Sequence, residues 1–125
     1  MRIAEVAQQF DISADTLRYY ERIGLLRPVA RNASGIREYG ESDLARIEFI
    51  KCLRGAGVSI EALTAYMRLL DEGDGTLAER KAILEQQRDL IQQRIDEMQA
   101  GLARLDYKIA HYEDLIVATE QKMQQ

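Results

Sequence analysis

Arg18, Tyr19 and Arg22 lie three and four positions apart, with Asp15 one turn earlier, so on a helix all four share one face. Two guanidiniums and a phenol on such a face suit the major groove of duplex DNA. Arg can donate two hydrogen bonds to guanine or one to a phosphate, and Tyr can stack or reach a phosphate oxygen. The same pattern also describes an ordinary solvated helix face. A second candidate for chemistry is Cys52, with Glu48, Phe49 and Ala56 as helical neighbours and Lys51 and Arg54 close in sequence. Buried free cysteines are commonly inert small hydrophobes, whereas a thiol beside cations can act through its thiolate. No nucleophile–base pair or phosphate loop is visible, and Gly55-Ala56-Gly57 is only a turn, so an enzyme is not expected. One Cys and one His cannot build a Zn or Cu site within one chain, and no cofactor is implied. His111 is expected to face water, and Tyr66, Tyr107 and Tyr112 to be packing residues.

The elements that would position these residues follow from local patterning. Ile3, Val6 and Ala7 form the inner face of a short first helix, and Phe10-Asp11-Ile12 makes a turn. Ser13 is a natural N-cap and Asp15 complements the helix dipole, so a second helix runs from Ala14 to about Ile23. Its inner face is Leu17, Tyr20 and Ile23. Gly24 stops it, Asn32-Ala33-Ser34-Gly35 is a turn, and Ile36-Arg37-Glu38-Tyr39 alternates as a short strand should. The expected β-hairpin carries Arg27, Arg31, Arg37 and Tyr39, with Glu38 its only acid. A basic hairpin beside a basic helix can grip flanking phosphates while the helix reads the groove. A third helix (44–54) turns Leu44, Ile47, Ile50 and Leu53 inward. A fourth (60–71), opened by Ser59, buries Leu63, Met67 and Leu70.

Charge is unevenly distributed along the 125 residues, whose formal net is −4. Residues 1–70 carry 10 basic and 9 acidic side chains, and residues 71–125 carry 7 and 12. Five arginines fall within 16–39. The acidic total argues against a non-specific nucleic-acid coat. The single Cys excludes an intramolecular disulfide. No apolar run approaches a membrane span and the start is no signal peptide, so a cytoplasmic protein without membrane contact is expected.

From Leu77, steps of four and three residues give Leu77, Lys81, Leu84, Arg88, Ile91, Ile95, Met98, Leu102, Leu105, Ile109, Tyr112, Ile116, Thr119 and Met123. Eleven of these fourteen are apolar or Tyr, a heptad seam. A helix over 76–123 would be roughly 70 Å long, and a lone helix cannot bury a stripe of that length. A second copy is the economical solution, hence a homodimer. Ile83 and Leu90 add a second apolar row that can pack on the head. A parallel pair would match acidic e positions with basic g positions such as Arg80. It would also stack Lys81 and Arg88 on their own copies, which favours antiparallel pairing. The expected organisation is a DNA-binding head at 1–70, a polar hinge at 71–75 and a coiled-coil helix at 76–123. The fold class is mainly α, a winged helix-turn-helix head followed by a long dimerisation helix.

The run Thr16-Leu17-Arg18-Tyr19-Tyr20-Glu21-Arg22-Ile23-Gly24-Leu25-Leu26 closely resembles the signature of MerR-family transcription regulators. Gly35-Ile36-Arg37-Glu38-Tyr39 is similar to the family's G-x-R-x-Y wing, and Leu53-Arg54-Gly55-Ala56-Gly57-Val58-Ser59 to its next landmark. One departure is Phe10-Asp11, where many members have Gly; Asp tolerates left-handed geometry better than most residues. The resemblance implies a homodimer with an antiparallel coiled coil. It also implies a near-palindromic operator between unusually spaced promoter elements, realigned for RNA polymerase when the dimer distorts the DNA. Bending alone would cost on the order of 1–6 kcal/mol.

Carried over by position, Thr16, Arg18, Tyr19, Arg37 and Tyr39 would contact DNA, with Ser13, Arg22, Arg31 and Ser59 as further candidates. The cysteines of metal-sensing members are missing, and no added ligand domain is expected. Ile47-Glu48-Phe49-Ile50-Lys51-Cys52-Leu53-Arg54 resembles the NmlR/AdhR branch, associated with aldehyde or thiol stress. That resemblance implies Cys52 as a sensor thiol, open to S-alkylation or reversible S-oxidation. A sensor-less DNA-binding repressor or architectural protein is the alternative, and a coiled-coil protein-interaction module a further one.

Overall fold

A computed structural model describes all 125 residues, which divide into two compact units, Met1–Arg88 and Asp89–Gln125. In the first, α1 (Ile3–Phe10) and α2 (Ala14–Arg22) form the helix-turn-helix. Between them Asp11 adopts φ 52°, ψ 48°, and no other non-glycine residue has positive φ. The expectation that Asp would accept this geometry holds. Helix α2 begins as predicted: the Ser13 hydroxyl accepts from the Thr16 N–H at 3.0 Å. It ends at Arg22, and Gly24 at φ 82° lets the chain turn so that Leu25 and Leu26 enter the core.

α3 (Glu41–Gly55) starts earlier than the sequence suggests, because the Asp43 carboxylate reaches back to the Gly40 N–H at 2.9 Å. α4 (Ile60–Glu72) is capped by Ser59, whose hydroxyl accepts from the Ala62 N–H at 3.1 Å. Val6, Leu17, Leu25, Leu26, Ile47, Ile50, Leu63 and Met67 make the fully buried core. Leu44 and Leu53, expected inward, are only half-buried, while Arg46 is buried between them in sequence.

The wing is not a β-hairpin of regular strands. A single antiparallel bridge, Arg31 to Arg37, takes the place of the strand expected at 36–39. The Asn32 side chain accepts from the Ser34 and Ile36 amides at 2.9 and 3.0 Å, so its turn competes with the ladder. Only Asn32 N–H to Ile36 C=O and Glu38 N–H to Ala30 C=O cross the loop, too few for a strand.

The segment read as a polar hinge is stapled. Asp74–Thr76 forms a 3-10 turn, and the buried Thr76 hydroxyl lies 2.7 Å from the Leu69 carbonyl and 2.8 Å from that of Gly73. It also accepts from Arg80 Nε at 3.0 Å. Arg80 is therefore buried, not at the solvated position the heptad assigned to it, and its Nη2 has no partner. Gln87, two turns on, is buried and its side-chain oxygen accepts from the Ser59 N–H at 3.1 Å. Thr76, Arg80 and Gln87 share one side of α5 (Leu77–Ala110) and the turn leading into it, with Ile83 half-buried beside them. Leu90, expected in that row, is 45% exposed. The first unit consequently extends to Arg88.

In the second unit the helix is not continuous to 123. It leaves α geometry at His111 (φ −113°, ψ 34°), widens into a π-helical turn over Tyr112–Val117, and resumes as α6 (Ala118–Met123). His111 Nδ1 lies 2.9 Å from the Tyr107 carbonyl, which the His111 amide also uses at 3.1 Å. A side chain entering the hydrogen-bond ladder is a recognised cause of such breaks. His111 is exposed, as expected, and stacks on Tyr107 with ring centroids 4.3 Å apart. No helix is long and apolar enough to cross a membrane.

Candidate nucleic-acid interface

α2 presents its polar face because Leu17 and Tyr20 are held in the core on the opposite side. Arg18 and Tyr19 are exposed there, as is Arg22. Arg18 Nη1 donates to Asp15 Oδ1 at 2.9 Å, an exposed pair whose partner is almost entirely in water. The Arg22 guanidinium carbon sits 5.4 Å from the Tyr19 ring centroid, a cation–π pair that presets both side chains. Ser13 and Thr16 are joined at the start of the helix, hydroxyl to hydroxyl at 2.8 Å. Thus Ser13, Thr16, Arg18, Tyr19 and Arg22 form one contiguous polar strip.

The wing residues divide. Arg31 is exposed, and its Nη1 donates to the Gly35 carbonyl at 2.8 Å, closing the loop. Alternation is preserved along 36–39, but it turns Arg37 and Tyr39 inward and leaves Ile36 and Glu38 outside. Arg37 Nε donates to Glu21 Oε2 at 2.9 Å in a pair that is mostly buried. Glu21 Oε1 accepts from the Val29 N–H at 2.8 Å. Burial acts to raise the Glu21 pKa, but the Val29 amide and Arg37 outweigh it and hold the carboxyl below its ordinary value. Tyr39 is 4% exposed, and burial pushes its phenol up.

Ser59 is half-buried at the start of α4, its hydroxyl and its amide both engaged. Cys52 is exposed on α3. Neither neighbouring cation is directed to it: Lys51 Nζ donates to the Phe10 carbonyl, and Arg54 Nη1 to that of Val58 at 2.9 Å.

The sequence reading missed the anchors behind this surface. Glu21 ties α2 to the wing, and Asp71 Oδ1 takes both Arg46 Nη2 at 2.6 Å and Arg27 Nε at 3.2 Å. Glu21 lay among basic residues in the signature and could have been found as their counter-charge. Asp71 gave no local signal.

A capped recognition helix, a basic loop beside it and two supporting helices define a helix-turn-helix DNA-binding class of protein. The description "MerR HTH family regulatory protein" matches residues 1–70, and "MerR, DNA binding" matches residues 44–108. The chain belongs to the MerR family of helix-turn-helix transcription regulators. It is similar to the HTH-type transcriptional regulator AdhR of Bacillus subtilis strain 168, 59% identical over 88 residues, 70% of this chain and 63% of AdhR. The match therefore spans less than two thirds of that relative. The HTH-type transcriptional regulator ZntR of Escherichia coli K12 is 35% identical over 109 residues, 84% of this chain and 77% of ZntR. Among solved structures, HiNmlR, a MerR family regulator lacking the sensor domain and bound to promoter DNA, has a TM-score of 0.71. It is 32% identical, covering 93% of this chain and 92% of that one. These relatives are transcription regulators rather than enzymes.

Proposed function

We propose that the chain acts in the cytoplasm as a homodimer that binds a near-palindromic promoter operator and distorts it, realigning the promoter elements for RNA polymerase. Residues 1–70 read the DNA, 71–75 connect, and 76–123 join the two copies antiparallel. The carrying observation is the α2 strip: Thr16, Arg18, Tyr19 and Arg22 stand on a capped helix locked by Leu17 and Tyr20. Arg31 flanks it from the loop, Arg37 is steered by Glu21, and Tyr39 supports the wing from beneath. Ser13 and Ser59 position helix starts and offer their rims to phosphates. The DNA-bound HiNmlR structure supports the same use of this fold.

The test is binding to duplex from the regulatory region beside the gene, over a salt series. Affinity should fall steeply with salt, and Arg22→Ala should flatten the log–log slope by about 0.9 if it neutralises one phosphate. Arg18→Ala should cost about 1–3 kcal/mol and relax the preference for one base pair. Absence of binding at low salt sinks the reading.

Cys52 is the sensor thiol in this proposal. Its exposure allows an aldehyde carbonyl to be attacked by sulfur, forming a C–S bond while the oxygen takes up a proton. Lys51, the preceding residue, ties α3 to the C-terminal end of α1 at Phe10, so a bulky adduct lies beside a contact that holds the helix-turn-helix on α3. Aldehyde induction of a reporter should disappear in Cys52→Ala. Induction that persists would instead favour the sensor-less DNA-binding repressor.

A further inference from the structure

The polar face of α2 is built from side-chain pairs that each join a residue to the one three positions on. Ser13 meets Thr16 hydroxyl to hydroxyl at 2.8 Å, Asp15 accepts from Arg18 at 2.9 Å, and Arg22 lies over the Tyr19 ring. Asp15 stands out by its charge, because it puts a carboxylate on a face that meets an anionic polymer. It is the second residue of α2, and the first turn of a recognition helix is the part that reaches base edges. Its side chain is 96% exposed, against 46% for Arg18. Oδ1 takes the Arg18 guanidinium, and Oδ2 has no partner in the chain.

We propose that Asp15 is a specificity-determining residue, which in the major groove accepts a hydrogen bond from the exocyclic amine of a cytosine or an adenine. A duplex gives a carboxylate few alternatives. Phosphates repel it, and guanine N7 and O6, adenine N7 and thymine O4 are themselves acceptors. The hydrogens that the groove offers are those of cytosine N4 and adenine N6. Over any other base edge the carboxylate gives up water and gains an acceptor or a methyl group, so its desolvation goes uncompensated. Asp15 thus acts on sequence as much by what it rejects as by what it binds. Its pairing with Arg18 fixes where this happens. One N–H of the guanidinium goes to Asp15, and the rest of the fork is open to guanine O6 and N7. Their separation of 2.9 Å is close to the rise of about 3.4 Å per base, so the pair addresses neighbouring bases, a guanine for Arg18 and an amine for Asp15. Opposite charges cancel within the pair, which leaves the sequence-independent attraction to phosphates to Arg22 and Arg31. The proposal rests on α2 as the groove-reading element.

It is tested by titrating full-length wild-type protein and Asp15→Ala against the duplex from the regulatory region. In a series of duplexes 2-pyrimidinone replaces each cytosine in turn and purine each adenine, so that only the exocyclic amine is lost. Wild-type affinity should fall about 5–150-fold at one position in each half-site, and the analogue that causes the loss tells cytosine from adenine. Asp15→Ala, a change at a side chain that lies in water, should be indifferent to the analogue at that position. Its affinity for an unrelated duplex should rise, so its preference for the operator narrows. An Asp15→Ala protein that responds to every analogue as the wild type does overturns the proposal. A gain in affinity that is equal on operator and unrelated duplex also overturns it, since the carboxylate then only repels phosphates. Wild-type protein that binds neither duplex overturns the groove-reading assignment of α2 and this proposal together.

Discussion

Glu21 joins two parts of the DNA-reading surface through its two carboxylate oxygens, one on the Val29 amide and one on Arg37. Because its folded pKa is held below the ordinary value, its contribution is fully present above the usual carboxylate range and is lost as pH falls through the depressed value. Glu21→Gln should therefore cost about 2 kcal/mol at neutral pH. It should also flatten the acid limb of Tm against pH between about 5 and 3. Thermal unfolding followed by circular dichroism checks both; an unchanged acid limb would remove Glu21 from this role. Asp71 carries a comparable burden, since Arg46 is buried and depends on it. Asp71→Asn should destabilise the head by about 2–3 kcal/mol, read as a lower urea midpoint, because a buried guanidinium loses its counter-charge. The outward-facing Arg18, Tyr19 and Arg22 were legible in the sequence because helical spacing alone places them. Glu21 was legible only as a counter-charge among basic residues and Asp71 not at all, since their arginine partners lie 16 and 25 positions away, set by tertiary packing.

Elements show the same division between local and non-local causes. Ser13 and Ser59 mark the starts of α2 and α4 because an N-cap acts within one turn. Asp11 replaces the expected turn glycine and takes φ 52°. Asp11→Ala should cost about 1 kcal/mol, whereas Asp11→Gly should be neutral or slightly stabilising, as measured by chemical denaturation. Equal losses for both would show that the Asp side chain, rather than backbone conformation, matters. The wing was readable as alternation but not in its polarity, which Glu21 decides by drawing Arg37 inward. The heptad follows an apolar row along α5, yet a helix of about 3.6 residues per turn has room for a second face. Thr76, Arg80 and Gln87 occupy that face, their polarity concealing that they are buried.

At the level of the whole molecule, the seam of the second unit has no cover within the chain. Met98, Leu102, Leu105 and Ile109 are each more than half exposed. An apolar row of this length on a single helix calls for a second surface. Leu102→Asp should lower the dimer's mass to that of one chain in sedimentation and abolish operator binding, while the helical content of the head persists. If the variant remains dimeric, the pairing runs elsewhere.

The Thr76 and Gln87 contacts carry a practical corollary for anyone transplanting this reader onto another scaffold. Trimmed after residue 70, where the first family match stops, the graft would strip the Ser59 amide of its acceptor and the Leu69 carbonyl of its donor. Carried through Arg88, the same piece brings its own brace and should fold as a monomeric, weakly binding unit.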